Sequence, residues 1–173
     1  MALLAPYSKI PEPNTATVLL VENEEKFQSK LADAIVKREK DVNVNVRLAC
    51  RLPLPVENGE TRPRVDLVVF IVNLLFERSL QVVENSLNHL SSDYFLGKVC
   101  FMVTDARCGA LAQERLLSVK KLAASHRCPV ICAEHQVRRS HTVLSTAWTV
   151  SVNTHGTRLH PFVEMKWNDR GWH

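Results

Sequence analysis

The sequence predicts an α/β fold, with a mostly parallel sheet and helices on both of its faces. Short runs dense in Val, Ile and Leu alternate with stretches of helical period from residue 16 to residue 133. The runs at 16–21, 65–72 and 98–103 are apolar on both faces, as strands covered by helices must be. Such alternation calls for parallel strands joined by right-handed crossovers.

Each element follows from its own residues. Pro6, Pro11 and Pro13 make residues 1–14 an extended lead-in. The first strand falls at 16–21. From Glu24 the period becomes helical: Phe27, Leu31, Ala34 and Ile35 share a stripe, with Lys26, Lys30, Asp33 and Lys37 mostly outside it, which predicts a helix over 24–37. Residues 42–48 alternate Val or Leu with Asn and Arg, the pattern of a half-exposed strand near a sheet edge. Residues 53–63, with three prolines and Asn58-Gly59, read as a loop. The β-branched density of 65–72 marks the strongest strand, expected at the centre of the sheet.

Leu80, Val83, Leu87 and Leu90 predict a helix over 79–90, and 98–103 a third buried strand. Leu111, Leu116, Val119, Leu122 and Ala123 place a helix over 111–125, and 129–133 is a short apolar strand. Beyond Arg138 the pattern weakens. Residues 144–152 fit a poor helix or a strand, and the end with Trp167 and Trp172 has no clear period.

Of the 173 residues, 46% are apolar and 23% charged, the proportions of a globular domain rather than a disordered or fibrous chain. The longest apolar run, 65–75, is broken by Asp66 and Asn73 and has strand length, so no membrane span is expected. No basic region precedes a long apolar stretch at the N-terminus, so no secretory signal is expected. Five cysteines, an odd number without framework spacing, are expected as free thiols in a reducing compartment. A net charge of +4 identifies neither an acidic partner nor a nucleic acid.

In an α/β sheet the loop after the first strand is the usual phosphate cradle, where glycines let backbone N–H groups converge on the anion. Here that segment is Glu22-Asn23-Glu24-Glu25-Lys26-Phe27-Gln28-Ser29, with no glycine. Glu22, Glu24 and Glu25 set as many as three carboxylates beside the phosphate position, each opposing an anion by about 1 kcal/mol or more. The same acids suit a helix N-terminus, at roughly 0.3–1 kcal/mol each. The loop is therefore expected to stabilise its helix rather than recruit a ligand.

Four segments in order resemble the centromere protein M family. They are Asn14-Thr15-Ala16-Thr17-Val18-Leu19-Leu20-Val21, Arg62-Pro63-Arg64-Val65-Asp66-Leu67-Val68-Val69-Phe70-Ile71-Val72-Asn73-Leu74, Ser79-Leu80-Gln81 and Phe95-Leu96-Gly97-Lys98-Val99-Cys100-Phe101. The second is the specific signature, and the resemblance spans roughly residues 3–133. It implies a small-GTPase-like fold, of P-loop NTPase topology, that neither binds nor hydrolyses GTP. It also implies a non-catalytic structural subunit of the inner kinetochore, nuclear and centromeric, supporting kinetochore assembly and chromosome segregation. The implied partners are centromere protein I, with centromere proteins H and K, within the constitutive centromere-associated network. No cofactor, metal, catalytic residue or direct nucleotide is implied, and direct DNA contact is expected to be absent or secondary.

Set against a working GTPase, Glu22 and Phe27 stand where a P-loop needs Gly, and Gln28 where it needs Lys; only Ser29 fits. Thr104-Asp105-Ala106-Arg107 replaces the base-reading Asn-Lys-x-Asp motif, and no Asp-x-x-Gly precedes residue 65. The organisation read from the resemblance is a lead-in over 1–14, a pseudo-GTPase domain over 15–136 and a divergent segment over 137–173. That last segment departs from the family, in which a regular helix follows the last core strand. A divergent small GTPase or nucleotide-dependent switch is the alternative reading.

Other constellations weigh little. His126, Cys128, Cys132 and His135 have metal-ligand chemistry, but Cys128 to Cys132 crosses a strand, with no turn to wrap an ion. Ser125-His126 and Ser140-His141 are sequence neighbours without a nucleophile elbow, and Asp66 and Asp105 are expected at opposite ends of parallel strands. The basic spots (residues 37–40, Arg62 with Arg64, Lys120-Lys121, Arg138-Arg139) lack the stacking aromatics of a single-strand groove. Trp148, Trp167 and Trp172 are open to two roles, partner contact or packing on the core. The exposed side of the helix over 79–90 and the loop over 52–64 are candidate partner contacts.

Overall fold

The computed structural model describes residues 3–5, 10, 13–38, 43–55 and 64–133. Five strands form one sheet: β1 (Thr15–Val21), β2 (Asn43–Ala49), β3 (Leu67–Asn73), β4 (Val99–Thr104) and β5 (Val130–Ala133). Every pairing is parallel, in the spatial order β2-β1-β3-β4-β5. Three helices complete the described fold: α1 (Gln28–Arg38), α2 (Glu77–Leu87) and α3 (Ala110–Ser125), with a short 3-10 turn at Ser92–Phe95.

The central strands bury both faces because their side chains alternate between two apolar layers. Val18, Leu20, Val69, Ile71, Cys100 and Met102 face the α1 layer, where Leu31 and Ile35 pack on them. Leu19, Phe70, Val72, Phe101 and Val103 face the opposite layer under α2 and α3. There Val83 and Leu87 of α2 meet Ala112, Leu116, Val119 and Ala123 of α3. Each fully buried Val, Leu or Phe contributes roughly 1.5–3 kcal/mol, so this double layer is what the helices are held by. β2 is an edge strand, with Asn43, Asn45 and Arg47 exposed, as its alternation predicts.

Several boundaries move for identifiable reasons. α1 begins at Gln28 rather than Glu24, because Glu25 adopts φ 56 and breaks the helical path. α2 runs two residues earlier at its start and stops at Leu87; Leu90 remains in the core through the turn that follows. On α3 the buried stripe is Ala112, Leu116, Val119 and Ala123, while Leu111 is exposed. Leu4 of the lead-in is anchored, its N–H donating to His89 O at 3.0 Å and its carbonyl accepting from Ser91 N at 2.8 Å. Residues 56–63 and 134–173, and with them His135, Arg138, Arg139, Ser140, His141 and the three tryptophans, lie outside the described residues.

The N-terminal end of the sheet holds a buried polar cluster. Asp66 accepts from Thr17 N–H at 2.9 Å and from Arg64 Nε at 2.7 Å. Arg64 is thus committed to an internal ion pair, not to a basic surface. Tyr94, fully buried, donates its hydroxyl to Val65 O at 3.1 Å. Tyr94→Phe leaves that carbonyl short of a donor, and urea denaturation is expected to show a loss of about 1 kcal/mol.

Candidate functional site

In open α/β sheets ligands bind outside the carboxyl ends of the strands, in the crevice where the strand order reverses. The order β2-β1-β3-β4-β5 reverses between β1 and β3. The loops that frame that crevice are residues 22–27 after β1 and 74–76 after β3.

Glu22 follows β1 directly and its backbone N–H is tied to Ala49 O at 3.0 Å. Its side chain is buried at 3% exposure, and the carboxylate turns back onto the start of α1. Phe27 N–H donates to Oε2 at 2.8 Å and to Oε1 at 3.1 Å; Gln28 N–H donates to Oε2 at 2.7 Å. These two amides lie at the entry to α1, where a phosphate cradle would present its N–H groups. Burial pushes the Glu22 pKa above its ordinary value; the two N–H bonds pull it down, while Glu24 and Glu25 push it up.

The other acids do different work. Glu24 pairs with Lys26 at 3.7 Å, and Glu25 is exposed and accepts from the Cys50 thiol. One carboxylate of three therefore meets the helix N-terminus, and the first turn of α1 itself holds none. Gln28 is buried, its Oε1 without a hydrogen-bond partner among the described residues, and Ser29 is exposed. The left-handed Glu25 costs roughly 1 kcal/mol in an L-residue. Glu25→Gly is expected to raise stability by up to about 1 kcal/mol, read as a higher melting temperature.

The β3 side of the crevice is fixed by hydrogen bonds. Asn73 Oδ1 accepts from Leu75 N–H at 2.9 Å, Ser79 Oγ from Asn73 N–H at 3.0 Å, and Arg115 Nη1 donates to Leu74 O and Leu75 O at 2.8 and 2.9 Å. Across the gap the Lys26 ammonium sits 5.6 Å from the Phe76 ring centroid, a cation–π contact that spans the crevice. Arg115, Phe76 and Tyr94 were not singled out by sequence reasoning. A polar residue with its apolar stripe neighbours signals nothing about a carbonyl supplied from forty positions away.

A family model described as Centromere protein M (CENP-M) matches residues 1–151. The chain belongs to the centromere protein M family. The zebrafish (Danio rerio) centromere protein M is 76% identical over 136 residues, covering 79% of this chain and 73% of the relative. The human (Homo sapiens) protein is 41% identical over 137 residues, 79% of this chain and 75% of its own length. The Xenopus laevis protein is 40% identical over 134 residues, 78% and 74% respectively.

For this member of the centromere protein M family, the remaining constellations dissolve in three dimensions. Asp66 precedes β3 and Asp105 follows β4, so they lie at opposite ends of the sheet. His126 caps the end of α3, its Nδ1 near Ser125 Oγ and Leu122 O (3.0 Å each) and its ring on Phe95. Among the described residues no cluster of His, Cys, Asp and Glu could hold a metal, and no helix is long and apolar enough to cross a membrane. Leu52, an expected contact residue, is buried, with its N–H on Ser86 Oγ at 3.1 Å.

All five cysteines are free, and Cys132 is exposed because its strand lies at the sheet edge. Burial pushes Cys100 up to about 12 and Cys128 up to about 11. Cys50 is also raised, chiefly by its bond to Glu25. A thiol-specific reagent at mildly alkaline pH is expected to label Cys108 and Cys132 first and Cys50 more slowly, with Cys100 reacting only on unfolding. Mass mapping of the labelled peptides reads that order.

Proposed function

We propose that this chain is a non-catalytic structural subunit of the inner kinetochore, working by mutual burial with partners and without turnover. The reading includes a small-GTPase-like fold whose nucleotide site is degenerate at Glu22, Glu24, Glu25, Phe27, Gln28 and Ser29. The observation that carries it is the Glu22 carboxylate on the Phe27 and Gln28 amides, where a phosphate would need to sit. An anion arriving there meets a like charge in a poorly screened position. The Lys26–Phe76 contact across the crevice supports the same reading.

Membership of the centromere protein M family supports a place in the centromere-associated network, in the nucleus and at centromeres. Centromere protein I is the proposed main partner, with centromere proteins H and K completing the subassembly. The proposed organisation is a lead-in over 1–14, a pseudo-GTPase domain over 15–136 and a divergent segment over 137–173. The test is reconstitution with centromere proteins I, H and K in nucleotide-free buffer, followed by size-exclusion chromatography. Co-elution, unchanged by added GTP or GDP, is expected. Assembly that requires nucleotide would replace the scaffold with a switch.

A further inference from the structure

The start of α1 already carries an anion from its own chain, the Glu22 carboxylate. We propose that Glu22 acts as the loop's own oxyanion: an intrachain ligand that fills the phosphate position at the start of α1 and fixes the β1–α1 turn. This inference rests on the scaffold reading above and names the residue that enforces it. The excluded class is phosphoryl oxyanions.

The geometry is that of a ligand in a cradle. Glu22 is held from behind by its own N–H on Ala49 O at 3.0 Å, so its backbone cannot swing away without unpairing the end of β2. Both of its carboxylate oxygens are engaged, at 2.7 to 3.1 Å, by N–H groups five and six residues ahead. Charge-assisted bonds of this length are the strong class. They offset the left-handed backbone at Glu25, which the chain adopts in returning from Glu22 to Gln28. The closed turn also carries Lys26, which pairs with Glu24 and reaches the Phe76 ring. A free phosphate would have to displace a tethered carboxylate, whose effective concentration no solution anion matches. Exclusion and the shape of the crevice are thus one device, with Glu22 as its positioning residue.

Amide hydrogen exchange and chemical shifts of Phe27 and Gln28, followed by NMR, test this in the full chain and in two variants. Glu22→Ala removes the acceptor, and both amides are expected to exchange on the order of tenfold faster. Inorganic phosphate at millimolar concentration is then expected to shift those two amides and slow them again. Glu22→Gln keeps an acceptor oxygen and is expected to retain most of the protection and to ignore phosphate. The wild-type amides are expected to ignore it too.

Unchanged exchange in Glu22→Ala would overturn the proposal while leaving the scaffold reading standing, and so would amides there that do not respond to phosphate. A wild-type loop whose amides respond to phosphate would overturn both. Should Glu22→Ala fail to fold, Glu22→Gln decides: exchange at Phe27 and Gln28 as fast as in the unfolded chain contradicts the role, and retained protection supports it.

Discussion

Phe70→Ala is expected to cost about 3–5 kcal/mol of folding stability, the largest effect of any single truncation in the sheet. Phe70 lies on the central strand β3, fully buried, with its ring stacked on Phe101 of β4 at a centroid distance of 5.8 Å. Its neighbours are held by the parallel ladders on both sides, so the cavity left by the ring cannot collapse. Domains of this kind hold roughly 5–15 kcal/mol in total, so the variant should sit near the threshold of being folded. Urea denaturation at constant pH reads the change. The exposed Val36→Ala on α1 serves as the control, with a shift within about 0.5 kcal/mol. A Phe70→Ala loss under 1 kcal/mol would mean that the two helix layers do not clamp the sheet as described.

Asp66→Ala is expected to be nearly as severe, at about 3 kcal/mol or more. The carboxylate holds the Thr17 amide and the Arg64 guanidinium, and fully buried Lys98 lies in the same electrostatic cluster. Removing it takes the negative charge from two cations already withdrawn from water, which is the costly direction. Asp66→Asn keeps acceptor geometry and should lose less. Because the pair is sheltered, raising the salt concentration should not close the gap between wild type and variant, unlike a surface pair.

Lys98 adds a pH signature to the same cluster. Burial, with Arg64 nearby, holds its pKa below the ordinary 10.5, against the pull of Asp66. The unfolded chain therefore binds more protons between the lowered pKa and 10.5, and stability rises with pH through that window. Lys98→Met is expected to remove that rise, measured as urea midpoints across alkaline pH. Glu22 has the opposite sign at the acid end. Its raised pKa makes the native state protonate first, so the proton-linked part of stability grows as pH falls through the raised value toward 4.5. The bonds to the Phe27 and Gln28 amides are present above that value too.

The sheet was legible because its signals are local. The runs at 16–21, 65–72 and 98–103 needed only side-chain composition to read as β1, β3 and β4, and the alternation of 42–48 placed β2 at an edge. At the loop after β1 the sequence shows which side chains are present but not where they turn. The lack of glycine in residues 22–29 pointed to a failed phosphate cradle, yet three carboxylates looked equivalent. Only geometry separates Glu22, which turns inward, from Glu25, whose left-handed backbone aims it at solvent. The start of α1 was misplaced for the same reason, since helical period says nothing about a reversed φ. Arg115, which bonds carbonyls of the β3 loop from α3, is a non-local contact that no window of sequence contains.

The most direct measurement is calorimetric titration of purified, nucleotide-stripped wild-type protein with GTP and GDP in the presence of magnesium. Folding of the sample is verified by circular dichroism, and bound nucleotide is checked by chromatography beforehand. A scaffold whose phosphate position is filled by Glu22 gives no binding heat at millimolar nucleotide and carries none through purification. Saturable micromolar binding by the folded protein would contradict that, and would make a nucleotide-dependent switch the function to pursue.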